Sequence, residues 1–209
     1  MEVGRSHEPP QLAGDSNCML RRHLLPASGA SWRYFKGMDE PSGGTTDWAS
    51  ASFDDTGWES GPAGFGYDDS DDATILSDMR GGYSTVYVRR KFQLSDPDDI
   101  ESLTSSILYD DGYVAYLNGT EVDRINVSTA AGVPVPHDSG TPGTVEPAQR
   151  REVDLTSRKD LLVAGSNVLA IQGLNQRISS SDFSLIPTLA AHFRDADRER
   201  IKEIRFPLD

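Results

Sequence analysis

The chain reads as an all-β protein, a two-sheet antiparallel sandwich of the jelly-roll type. Three observations predict this. Its 209 residues include 19 glycines and 12 prolines, so turns come often. From Thr85 to Leu94 the side chains alternate, with Val86, Val88, Phe92 and Leu94 on one face and Thr85, Arg89, Lys91 and Gln93 on the other. Only Arg90 interrupts the apolar face, and such alternation marks a half-buried strand. Asp111-Gly112 and Asn118-Gly119 follow one another between strand-like runs. These dipeptides tolerate positive φ at both centres of a type I′ turn, whose twist matches antiparallel strands. A length of 209 fits one large sandwich domain.

Taken along the chain, residues 1–30 mix Pro, Gly, Ser and charge without period and read as a tail or linker. The domain is expected over residues 31–193. Ser31 to Phe35 is an aromatic-rich first strand, followed by turn residues from Gly37 to Thr46. After the strand Thr85–Leu94, the runs Leu103–Asp110, Tyr113–Leu117 and Thr120–Ile125 predict a three-stranded meander. Val127 to Gln149 is a long loop rich in Pro, Gly, Ser and Thr, of the kind that often carries binding on a rigid scaffold. Arg151–Leu155 is a strand, and Leu161-Leu162 with Gly165 mark a short turn. Asn167–Leu174 contains the apolar run Val168–Ile171 and predicts a buried central strand. In the last strand, Phe183–Phe193, Pro187 predicts an edge position or a bulge. Residues 194–209 form a charged tail, with one short helix near Arg198–Glu203 or a lead into another domain.

Charge narrows the partners. A formal net charge of −13 opposes binding to phosphate backbones and to anionic membrane surfaces, and it suits a hard cation. The single cysteine, Cys18, excludes an internal disulfide framework and a multi-cysteine zinc site. His7, His23, His137 and His192 show no metal-ligand spacing. No apolar run reaches the ~20 residues of a membrane helix. Residues 1–30 lack a signal-peptide layout, so the chain reads either as cytosolic or, preferably, as a segment of a longer exported protein. No nucleophile elbow, phosphate loop or dinucleotide fingerprint is present.

Several phrases together resemble a known family. They are Trp48-Ala49-Ser50-Ala51-Ser52-Phe53-Asp54-Asp55-Thr56-Gly57-Trp58 with Gly64-Phe65-Gly66-Tyr67, and Val86-Tyr87-Val88-Arg89-Arg90-Lys91-Phe92. Asp110-Asp111-Gly112 with Ala115 to Val122, Gly165 to Ile171, and Ser180-Ser181-Asp182-Phe183 complete the set. Their order resembles the sugar-binding jelly-roll domain of family 2 glycoside hydrolases, within the galactose-binding-like fold. It is similar also to accessory modules of large exported bacterial proteins placed beside lamin-tail or spore-coat-kinase-like domains. The resemblance implies an extracellular or cell-surface accessory domain, sometimes with a structural calcium ion. It fixes no ligand.

Candidate sites each have a competing structural role. Trp48, Trp58, Tyr67 and Tyr83 can form an aromatic platform for a sugar face, or pack as core. Asp68, Asp69, Asp71 and Asp72, with Asp54-Asp55 before them, can supply oxygens to Ca2+, although the spacing is not that of an EF-hand. The alternative is a solvated acidic loop. Asp110-Asp111 read poorly as catalytic carboxylates, because neighbouring strand residues point to opposite faces and Asp111 suits a turn. Arg90 either pairs with a buried carboxylate such as Asp182 or makes a surface ion pair. Asn118 and Asn126 head glycosylation sequons that read as incidental. The expected function is non-catalytic carbohydrate binding, with ligand contacts from Trp58, Tyr67, Tyr83, Asn175, Ser181 and Asp182. The expected partners are a polysaccharide or glycan and neighbouring domains. A structural or protein–protein spacer is the alternative, and a polysaccharide hydrolase or lyase a more distant one.

Overall fold

Alternating strands with few helical signals close into two packed sheets. The computed structural model describes residues 20–25, 31–68 and 72–194. Strands are numbered along the chain. β1 (Leu20–Leu25), β4 (Phe65–Tyr67), β5 (Thr74–Ile75), β7 (Ile100–Asp110), β10 (Gln149–Asp154) and β12 (Phe183–Phe193) form the first sheet. β2 (Ser31–Lys36), β3 (Glu59–Pro62), β6 (Thr85–Leu94), β8 (Gly112–Leu117), β9 (Thr120–Ile125) and β11 (Gly165–Leu174) form the second. The first runs in the order β10-β7-β12-β4-β5, with β1 also on β12; the second runs β3-β2-β6-β11-β8-β9. Among the described residues only the short β4–β5 pair is parallel. The fold class is therefore the expected antiparallel sandwich.

The alternation in β6 is realised residue by residue. Val86, Val88, Phe92 and Leu94 join the core between the sheets, with Trp32, Phe65, Leu169, Ile171, Phe183 and Leu185. Its other face is not solvated. Tyr87 packs outward with Val114, Tyr116 and Ala170 beneath Trp48, Trp58 and Val135. A one-turn 3-10 segment at Asp47–Ala49 and the loop carrying Val135 supply that cover. Central strands of the second sheet are thus buried on both faces, which explains the continuous apolar run of β11.

Three expectations need correction. The stretch read as a tail contains β1, paired antiparallel with β12 from Leu20↔Phe193 to Leu25↔Leu189. Leu24 and Leu25 are buried there, so the domain starts before residue 31. Polar Arg21-Arg22-His23 masked the pattern. The remaining tail expectations, including Cys18 and the short helix near residues 198–203, lie outside the described residues.

The three-stranded meander is not formed. β8 and β9 pair across Asn118 (φ 50°) and Gly119 (φ 86°), as a type I′ hairpin requires. β7, however, belongs to the other sheet, and neither Asp111 nor Gly112 takes positive φ. Asp111 is a crossing point instead of a turn: its N–H donates to the Leu174 carbonyl at 3.1 Å. Pro187, expected at an edge or a bulge, lies in an inner strand, and the register shift of β12 against β7 falls at His192/Phe193. Pro187 pairs with Ile107 on β7. On its other side β12 has changed partner, from β4 at Phe183–Leu185 to β1 from Leu189 onward. The residue without an N–H falls between those two partners.

Candidate functional site

The register of the first sheet gathers carboxylates at one end of the sandwich. Ser184 pairs with Asp110 and Gln149 pairs with Tyr109, so the segments entering β12 and β10 flank the end of β7. Asp182 lies two residues before Ser184, and Glu146 three before Gln149. Carboxylate oxygens of Asp110, Glu146 and Asp182 lie within 4.8 Å of one another. Asp110 is 4% exposed, Asp182 is half-buried and Glu146 is exposed. Asp111 is held beside them. Its Oδ1 accepts from Val145 N–H and its Oδ2 from Gln176 N–H, both at 2.7 Å.

Burial and the neighbouring Asp111 carboxylate push Asp110 up to about 8. Glu146 is raised too, first by desolvation and then by Asp182. Three converging oxygens with unfavourable negative charge are the arrangement a hard cation neutralises. The sequence reasoning placed Asp110 and Asp111 on opposite faces. In the structure the Asp111 carboxylate is close enough to raise Asp110, at the point where the chain leaves β7 of one sheet for β8 of the other.

The acidic loop expected to hold calcium behaves differently. Asp69 and Asp71 lie outside the described residues. Asp68 has φ 64° and a largely exposed ion pair with Arg80 at 3.5 Å. Asp72 lies over Gly66, where a Cβ would come 2.1 Å from its Oδ2. Asp55 is committed to Arg89, and Asp54 is exposed and accepts from Thr56 N–H. Of the acids named from the sequence, Asp110 and Asp182 are brought into the carboxylate cluster, and neither Asp68 nor Asp72 is.

The aromatic candidates are core residues. Trp48, Trp58, Tyr67 and Tyr83 are all 9% exposed or less, so no open stacking platform is formed from them. Trp48 meets Tyr87 edge-on at 4.9 Å and Trp58 at 6.4 Å. The Arg89 guanidinium lies 5.7 Å from the Trp58 ring centre. That arginine, not Arg90, makes the buried ion pair, and its partner is Asp55, not Asp182. Arg90 donates to the Ser31 carbonyl. Tyr67 Oη donates to the Ser180 carbonyl at 3.0 Å and accepts from Asn175 Nδ2 at 3.1 Å. Asn175 Nδ2 also donates to the Asp182 carbonyl at 2.9 Å, and Ser181 Oγ donates to Asp182 Oδ1 at 2.7 Å. Tyr67, Asn175, Ser181 and Asp182 are therefore one connected scaffold.

Tyr83 borders a groove that sequence reasoning reached only in part. It holds about 440 Å³ and is lined by Met38, Tyr83, Ser84, His137, Asp138, Gln176, Arg177 and Ile178, with Gly37, Gly82 and Gly140. The glycines are tight: a Cβ at Gly140 would meet the Gln176 carbonyl at 2.0 Å. Met38 and Ile178 are 60% and 48% exposed. Gln176 Oε1 is buried with no donor among the described residues. Arg177 makes no ion pair among them. Tyr83 Oη donates to Asp78 Oδ1 at 3.0 Å, and His137 N–H donates to Glu40 Oε1 at 2.8 Å, so both walls are braced. His137 and Asp138 sit in the long loop already marked for binding; Met38 carried no signal.

No family model matches the chain, and no curated protein does. Solved structures offer partial likenesses. A β-glucuronidase from an uncultured Clostridium shares 15% identity, with 87% of this chain and 30% of that chain covered and a TM-score of 0.49. Bacteroides uniformis β-glucuronidase 2 gives 18% identity, 82% and 18% coverage and a TM-score of 0.48. Bifidobacterium dentium β-glucuronidase gives 21%, 76% and 21%, and 0.45. The chain spans a third or less of each of these enzymes' lengths.

Proposed function

We propose that this chain is a non-catalytic accessory module of a larger exported carbohydrate-active protein, that the groove beside Tyr83 takes a glycan, and that Asp110, Glu146 and Asp182 hold a structural calcium ion. The groove carries the reading. A sugar presents C–H faces and a ring of hydroxyls. Met38 and Ile178 offer exposed apolar contact, while Asp138 and Arg177 offer an anion and a cation. The resemblance of the strand phrases to a sugar-binding jelly roll supports the same class.

Asp110 is too buried to reach a glycosidic oxygen, and Asp111 has both oxygens on backbone N–H groups. That disfavours a hydrolase or lyase built on this pair. Calcium would sit where three segments meet, so its role is to fasten the loop before β10 to the ends of β7 and β12. The buried aromatics favour one second reading, a structural spacer without a ligand.

Affinity electrophoresis against a broad polysaccharide panel, with calcium and then with chelator, separates the readings. Retardation on one glycan class supports the module. Migration unchanged on every glycan selects the spacer.

A further inference from the structure

A second cavity lies away from the groove, where β2 and β6 run side by side. Ser84 of the groove and Arg89–Lys91 are separated by five to seven residues of one extended strand, about 20 Å. The cavity holds about 180 Å³ and is lined by Trp32, Arg33, Asp55, Arg89, Arg90 and Lys91, with two serines. Four cations face one carboxylate there, in a chain whose net charge is −13. Asp55 is already paired with Arg89. Arg33, Arg90 and Lys91, all half-buried, make no ion pair among the described residues.

The buried donors make the same point. Trp32 Nε1, Arg89 Nε and Arg90 Nε are each buried without an acceptor among the described residues. All three belong to residues lining this one cavity. Trp32 and Arg89 are both 1% exposed. A buried N–H that lacks an acceptor forfeits the solvation it had in water, so each of the three is a local deficit. Everything missing is an acceptor, and the surplus charge is positive.

We infer that this cavity is an oxyanion site, taking one carboxylate, sulfate or phosphate group. Such a group brings several acceptor oxygens and the negative charge that Arg33, Arg90 and Lys91 lack. The inference stands apart from the glycan groove and would survive its failure.

The chain has three tryptophans, so their indole N–H signals are separable by NMR, and Trp32→Phe assigns one of them. Sodium sulfate, phosphate and acetate are titrated separately against sodium chloride at matched ionic strength. The expected result is a saturable downfield displacement of the Trp32 indole proton, with Trp48 unmoved. In Arg33→Ala/Lys91→Ala, whose side chains lie toward the surface, binding should weaken about tenfold or more. Stronger response to sulfate and phosphate identifies a tetrahedral anion, and stronger response to acetate a carboxylate. No saturable displacement with any of the three, a displacement equal to that from chloride, or unchanged affinity in the double variant overturns the proposal.

Discussion

Arg89 is the residue on which the outer packing of the second sheet turns. Its side chain is fully buried, paired with Asp55 and bonded through Nη2 to the Ser50 carbonyl at 2.7 Å. It also lies 5.2 Å from the centre of the Phe53 ring. Asp55→Ala would strand a buried guanidinium without its carboxylate, a loss of about 3–5 kcal/mol by urea denaturation. Alternation placed Arg89 on the polar face of its strand, and nothing in strand period announces that another segment covers that face. A milder effect is expected at Glu121, whose carboxylate is held below its usual range by Arg124 at 2.6 Å and by Gly132 N–H, against desolvation. A depressed carboxylate stabilises the fold above its unfolded value, about 4.3, and that contribution disappears as pH falls through the lower folded value. Glu121→Gln should therefore cost about 0.2–1 kcal/mol at neutral pH and lose that difference from wild type in acid.

Among the elements, the β8–β9 hairpin was the most legible, because Asn-Gly states its turn geometry directly. Asn118 does more than turn. Its Nδ2 donates to the Leu161 carbonyl and to Asn167 Oδ1, each at 2.8 Å, while its Oδ1 accepts from Val168 N–H. The hairpin is thereby fastened to the start of β11. Asn118→Gly and Asn118→Ala both lose these bonds, but only alanine carries a Cβ that strains at φ near 50°. Alanine should be the worse variant by about 1–2 kcal/mol in thermal denaturation. Asp111-Gly112 shows the limit of such local reading. The same type of dipeptide lies where the chain leaves one sheet for the other, and its conformation is set by Leu174, Val145 and Gln176, which are distant in sequence. The β1 strand was missed for a related reason: its partner is β12, at the far end of the chain.

For the whole molecule, the sandwich follows from alternation and turn chemistry, whereas the sites follow from closure. Glu146 comes from a loop with no period, Asp110 from a strand end and Asp182 from a strand entry, and register alone brings them within 4.8 Å. If calcium fastens these segments, millimolar CaCl2 should raise the melting temperature and chelator reverse it. Asp182→Asn should abolish the response, and a melting temperature indifferent to both reagents rejects the ion. The groove has the same origin. Met38, His137 and Arg177 come from three separate stretches and meet only when both sheets are in place.

The central claim is that this groove holds a glycan. The most direct test compares wild type with Gln176→Ala/Arg177→Ala in affinity electrophoresis on the polysaccharide panel. We predict retardation of the wild type on at least one glycan and its loss in the variant, with both proteins melting at the same temperature. Equal retardation of the two would place binding elsewhere, and no retardation of the wild type on any glycan would contradict the claim itself.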